Sequence, residues 1–267
     1  MKKIIIIILS VILLGTAGFF GYKTIKNKKK TEETKQVVTK KRQEVNLLEL
    51  TKRPYITLIP RTDGRELFLN IENLKLKEEL VEYELEYQAG TMIQGAFGRI
   101  DFLEEKPPVR KGLLLGSCSK GKCRYDEDVT GGSLTLYFEG SEDYSLKGEF
   151  TIGTMLEKKG IFSSRDAKVT LEIEKGDLSE STFLVVSSTM GLPKEVKGEV
   201  VSGPIGFFTA SKTNLTKSKL TFKTDKDLEN PMILGWDGTE WQEYEVEKVT
   251  EGYSTLINNL TTFVLVN

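Results

Sequence analysis

Residues 116–123 read "GSCSKGKC", and these eight residues decide between two fold classes. Gly116, Gly121 and Lys122 keep the G-x-x-x-x-G-K spacing of a phosphate-binding loop, but Cys123 stands where a Ser or Thr hydroxyl would hold magnesium. Such a loop also needs a strand before it and a helix after it, because the helix N-terminus supplies amides and dipole to the anion. "GLLLG" at 112–116 supplies the strand. "RYDEDVTGGS" at 124–133 supplies no helix: it has no apolar stripe, it meets Gly131 and Gly132, and Asp126, Glu127 and Asp128 repel a triphosphate. Read as a turn, the stretch is consistent throughout. Gly121 takes positive φ at little cost, and Cys118 and Cys123, the two cysteines of the chain, face each other across "SKGK" at bonding distance. The pairing expected is a Cys118–Cys123 disulfide, with two reduced thiols as the alternative. A closely spaced, even pair suits an oxidising compartment.

Outward from this turn the sequence alternates with period two. In "VEYELEY", Val81, Tyr83, Leu85 and Tyr87 interleave with Glu82, Glu84 and Glu86, giving one dry and one wet face. "ELFLNI" (66–71), "GRIDF" (98–102), "SLTLYF" (133–138) and "YSLKGEFTI" (144–152) repeat the pattern between turn signals "TDG", "QAG", "KPP" and "TGG". A second set begins with "DAKVTLEIEKG" (166–176), where Ala167, Val169, Leu171 and Ile173 share a face, and runs to "LTTFVLV" at the C-terminus. The fold class expected is all-β: two consecutive antiparallel β-sandwich (Ig-like) domains after an N-terminal transmembrane helix. The boundaries are 1–22 for an anchor or signal sequence, 23–52 for a basic stalk, 53–153 for the first sandwich and 154–267 for the second. Only "TMLEKK" (154–159) separates the two, and each is expected to hold its own core.

Composition narrows the function classes. Lys and Arg number 38 against 39 Asp and Glu, so no global field points to nucleic acid. Histidine is absent, which removes Ser-His-Asp and Cys-His nucleophiles and every His-ligated metal. No enzyme, cofactor or metal site is expected. At the N-terminus Lys2 and Lys3 precede an uncharged run from Ile4 to Tyr22, and about 20 apolar residues span a bilayer as a helix. Gly15 and Ala17 also fit a signal cleavage site; the run is read here as an anchor, with Phe19, Phe20 and Tyr22 at an interface. Lys23, Lys26, Lys28, Lys29 and Lys30 follow it and favour the cytoplasmic side for the stalk, whereas the signal-like N-terminus and the cysteine pair favour export. The expectation is a single-pass protein of the cell membrane with its C-terminal domains extracytoplasmic.

"FSSRDAKVTLEIEKGDLSESTFLVV", "LPKEVKGEVVSGPIGFF", "LGWDGTEWQEYE" and "NNLTTFVLV" together resemble the β-sandwich module of ankyrins, netrin receptors and zonula-occludens proteins, over roughly 161–267. The resemblance implies protein contacts. Some members of that family cleave themselves at a His-Phe-Ser site, but this chain has "LTTF" at 260–263 and no histidine, so self-cleavage does not carry over. The first half, with "EYELEYQAG", "GAFGRID" and "LLLGSCSKGKCRYDEDV", is similar to uncharacterised membrane-anchored bacterial surface proteins.

Trp236 and Trp241 flank "DGTE", and Asp-Gly signals a hairpin. A two-residue loop sets Leu234 opposite Trp241, a four-residue loop pairs the tryptophans directly, and both place them on one face beside Met232. They serve either as a core-sealing cluster or as a sugar platform. The acidic loops at 126–128, 140–143 and 224–227 lack the D-x-D-x-D-G pattern of a calcium loop and read as solvated turns. The function expected is a non-catalytic, membrane-anchored protein presenting β-domains to an unknown protein or envelope polysaccharide. The alternative is a carbohydrate-binding module of the cell envelope.

Overall fold

The computed structural model describes residues 44–267. The first half contains β1 (Tyr55–Pro60), β2 (Glu66–Glu72), β3 (Glu78–Ala89), β4 (Met92–Asp101), β5 (Val109–Leu114), β6 (Gly116–Ser119), β7 (Lys122–Tyr125), β8 (Val129–Gly140) and β9 (Tyr144–Thr154). A one-turn helix, α1 (Met155–Lys158), follows. Then come β10 (Ile161–Ser163), β11 (Val169–Glu172), β12 (Phe183–Ser188), β13 (Val200–Phe208), β14 (Ser218–Lys223), β15 (Met232–Trp236), β16 (Trp241–Tyr244), β17 (Glu247–Val249), β18 (Gly252–Ile257) and β19 (Thr262–Val266). The all-β expectation holds, and the strand pairs are antiparallel throughout.

Nine strands form one long sheet in the order β16-β15-β19-β13-β12-β9-β8-β3-β4. A three-stranded sheet (β1-β2-β5) and a five-stranded sheet (β10-β11-β14-β18-β17) pack against it, and β6-β7 stand apart as a two-stranded hairpin. The alternation read in the sequence fixes the faces. In β3, Val81, Tyr83, Leu85 and Tyr87 are buried, while Glu82, Glu84 and Glu86 are exposed. In β12 alternation divides two cores: Val185 joins Ile56, Leu67, Leu69, Leu134, Leu146 and Phe150, whereas Leu184 and Val186 join Phe162, Leu171, Phe207, Phe222 and Phe263. Successive side chains of a strand point to opposite faces, so the two smaller sheets cover opposite faces of the long one. A third, smaller cluster of Leu192, Leu234, Val264 and Val266 borders the tryptophan hairpin.

The boundary expected between 153 and 154 falls at the end of β9. That strand pairs with β8 on one side and, from Phe150 to Thr154, with β12 on the other. The chain therefore has two main cores, the first of which also takes in Val185 and Met190 from the second half, and the halves share a continuous sheet. They are connected through hydrogen bonds and not merely by a linker. Helix α1 sits at this junction, opened by a capping box in which Thr154 Oγ1 accepts from Glu157 N at 3.2 Å and the Glu157 carboxylate accepts from Thr154 N at 2.8 Å.

The anchor at 1–22 and the stalk as far as residue 43 lie outside the described residues. The last part of the expected stalk is held against the sheet. Asn46 N donates to Ser145 O (2.8 Å), and the Asn46 side chain exchanges hydrogen bonds with the backbone of Lys147 at 2.9 and 3.0 Å. Arg53 fastens the turn around Leu50 by donating to Asn46 O and Leu48 O, both at 2.7 Å. Among the described residues no helix is long and apolar enough to cross a membrane.

Candidate functional site

The opening stretch is a β-hairpin. Cys118 pairs with Cys123 and Ser119 with Lys122, leaving Lys120 and Gly121 as a two-residue turn with φ of 50° and 78°. Positive φ at both positions is the mark of a type I′ turn, which explains a glycine at 121. The Cys118–Cys123 disulfide closes directly across the strands, with Cα atoms 4.0 Å apart. Where a phosphate loop continues into a helix, this chain continues into strand β7. At its base, the Arg65 and Arg61 guanidinium groups lie 4.6 and 5.8 Å from the Tyr125 ring centroid, tying the hairpin to the β1–β2 turn. The Tyr87 hydroxyl donates to Asp126 at 2.7 Å; burial and this carboxylate hold the phenol above its ordinary range.

The tryptophan hairpin takes the four-residue loop: Trp236 is directly opposite Trp241. Asp237 organises the loop, its Oδ1 accepting from Thr239 N (2.7 Å) and Glu240 N (2.8 Å). These amides hold its carboxyl below the usual carboxylate range. The rings meet edge to face at 5.5 Å with 65° between planes. Both are half-buried, Trp241 packs on the third cluster, and its Nε1 donates to Lys194 O at 2.9 Å. The geometry thus joins the two tryptophans but presents no shared flat face. Among the described residues, no three His, Cys, Asp or Glu side chains converge in a way that could hold a metal ion.

A surface that sequence reading passed over is the open face of the long sheet at β3 and β4. The register pairs Glu82 with Arg99, Glu84 with Phe97, Glu86 with Gly95 and Gln88 with Ile93. Phe97 and Ile93 consequently share the wet face with the three glutamates, and they are 87% and 74% exposed. Met92, at the start of β4, is also exposed. The core side of the same strand is well filled: Tyr83 lies against Gly98, where its hydroxyl leaves no room for a Cβ. The signal was present in "IQGAFGRI", where Ile93, Gly95, Phe97 and Arg99 fall on the parity opposite to buried Ile100. No protein-family model matches this chain, and neither the curated proteins nor the solved structures contain a match to it.

Proposed function

We propose that this chain is a non-catalytic, membrane-anchored extracytoplasmic protein, held by residues 1–22, whose two sandwich-like layers offer a binding surface to a protein or envelope polymer. The observation that carries this reading is Phe97, a large apolar side chain 87% exposed on the same strand face as Ile93, itself 74% exposed. Both side chains stand on the open face of a strand at the sheet's edge, and exposed apolar side chains along an unpaired edge support an interaction role. The disulfide at an exposed turn supports the compartment, since such bonds persist where conditions are oxidising. The absence of histidine, a property of the sequence, supports a binding role over an acid–base one.

The alternative, a carbohydrate-binding module, draws on the half-buried Trp236 and Trp241. Their edge-to-face packing and the hydrogen bond from Trp241 favour a role in sealing the third cluster. The test is accessibility in intact cells. An impermeant amine reagent is expected to label the lysines at 23–41 without lysis, and labelling only after lysis would reverse the assigned orientation. Binding of the full chain to isolated envelope fractions, lowered by Phe97→Lys and not by Trp236→Ala, would separate the two readings.

A further inference from the structure

The long sheet ends in two very different edges. At one end is β16, four residues long, carrying Gln242 and Glu243. The five-stranded sheet ends in β10 and β17, each of three residues. In the three-stranded sheet, β5 carries Arg110 and Lys111, and β1 is covered where Ile56 N donates to Thr189 O at 3.1 Å. Short length, charge and cover are the usual means of blunting an edge. Strand β4 uses none of them from Met92 to Gly98. It runs for ten residues without proline, lysine or a bulge against β3, and its outer side has no partner strand among the described residues.

Charge identifies what this edge accepts. Residues 1–43 hold 11 of the 38 Lys and Arg and 2 of the 39 Asp and Glu, leaving 27 against 37, net −10, in residues 44–267. Glu82, Glu84 and Glu86 bring that excess to the strand next to the edge. Arg99 is opposite Glu82, and Glu84 accepts a 3.2 Å hydrogen bond from Tyr137. The Glu86 side chain has no hydrogen bond or ion pair among the described residues. It faces Gly95, so no side chain stands between its carboxylate and the open edge. Lys147 and Arg165 line a shallow hollow with Glu86 across β8, where Arg165 is 3.6 Å from Glu149.

From these observations we infer that β4 is a docking edge for an extended, cationic partner segment, added antiparallel as a further strand. Neighbouring strands lie ~4.8 Å apart, so an added strand would stand roughly 9.6 Å from β3. A lysine opposite Gly95 spans that gap to Glu86. Residues two before and two after it then fall opposite Ile93 and Phe97, where apolar side chains cover both. The partner is therefore a segment with a basic side chain flanked at spacing two by apolar ones, and small polar residues between. Strand addition of this type draws affinity from the backbone and specificity from alternate side chains. The inference rests on the reading of the chain as an interaction protein.

The probe is the fluorescein-labelled peptide Thr-Val-Thr-Lys-Thr-Val-Thr, titrated by anisotropy against the full chain in non-ionic detergent. Saturable binding is expected, weakened at least tenfold by Phe97→Lys and by Glu86→Lys, both exposed positions whose change leaves the core intact. Glu86→Lys is expected to bind the peptide with Glu in place of Lys at least tenfold better than the original peptide. A fold defect would not produce that exchange. No saturable binding, or binding indifferent to both substitutions and to the charge swap, overturns the proposal. So does a concentration-dependent dimer that Phe97→Lys dissolves and the peptide does not compete with, because the edge then belongs to a second copy. Failure of the peptide with stalk lysines labelled in intact cells defeats this inference alone. Lysines protected until lysis defeat the extracytoplasmic reading and leave the peptide result standing.

Discussion

Replacing Glu78 by alanine tests whether a buried carboxylate holds the start of β3. Glu78 is 5% exposed and accepts from the Tyr144 hydroxyl (2.6 Å), Leu76 N (2.9 Å) and Lys75 N (3.3 Å). Tyr144 in turn stacks on Phe138 at 4.7 Å. Truncation leaves three donors without an acceptor, and each buried orphan costs about 1–3 kcal/mol. The Lys75 contact is long and its surroundings admit water, so Tyr144 and Leu76 carry most of the effect, a total of roughly 3 kcal/mol. Tyr144→Phe removes one charge-assisted bond and leaves two backbone donors on the carboxylate, at about 1.5–2 kcal/mol. Because both act through one contact, the double variant should lose less than the sum by about 1 kcal/mol or more. Urea unfolding of the parent, both single variants and the double variant measures all four corners. A Glu78→Ala cost below about 0.5 kcal/mol, or strict additivity, would refute this account of the network.

Three further outcomes are expected. Replacing Cys118 and Cys123 by serine should cost about 1–2 kcal/mol at most, since the closed loop is short, with amide exchange accelerated at 116–125 and unchanged in β3 and β8. Asp237 has a depressed pKa through the amides of Glu240 and Thr239, so its contribution is present at neutral pH and is lost as pH falls through the lowered value. Tryptophan fluorescence should report loosening of the 236–241 hairpin at acid pH, and Asp237→Ala should show the loosened signal at all pH values. Tyr55 and Tyr144 are pushed well above 10, chiefly by burial, so folded molecules keep protons that unfolded ones release. Stability should hold up to about pH 10 and then fall, by up to ~1.4 kcal/mol per pH unit for each phenol, and Tyr144→Phe should make that fall shallower.

Alternation made the strands legible wherever one face is dry and the other wet, as in "VEYELEY". The turn chemistry was legible too: Gly121 and the Cys118–Cys123 spacing follow from local backbone geometry, and so does the placing of Trp236 and Trp241 on one face. What local pattern cannot carry is the partner of an edge. "AFGRI" contains an apolar residue on the wet parity, but nothing within it says that β4 ends the sheet or that Gly95 faces Glu86. That depends on register against β3, a pairing across a turn, and on the absence of any later strand beside it. The buried role of Glu78 was equally hidden, because Tyr144 lies 66 positions away and a glutamate at a strand start reads as solvent-facing.

The same limit explains the junction of the halves. "FLVV" at 183–186 is apolar at successive positions, the pattern of a strand covered on both faces. In this fold it becomes the shared wall, with Val185 in the first core and Leu184 and Val186 in the second. Five residue pairs, from Phe183 opposite Thr154 to Ser187 opposite Phe150, bind it to β9. Met190, also from the second half, packs in the first core. The intervening turn is fixed as well, with Met155 N donating to Thr182 O at 3.1 Å and Leu156 N to Glu180 O at 3.0 Å. Cutting after residue 153 would strip the first core of Val185 and Met190 and leave β12 an unpaired edge. Second-half residues in the first core and strands paired across the seam predict a single folding unit. Unfolding of residues 44–267 should be one cooperative transition by both tryptophan fluorescence and far-ultraviolet circular dichroism. Proteases should spare 154–160 under native conditions. Two resolved transitions, or a stable 44–153 fragment, would show that the β9–β12 seam contributes little and that each core stands alone.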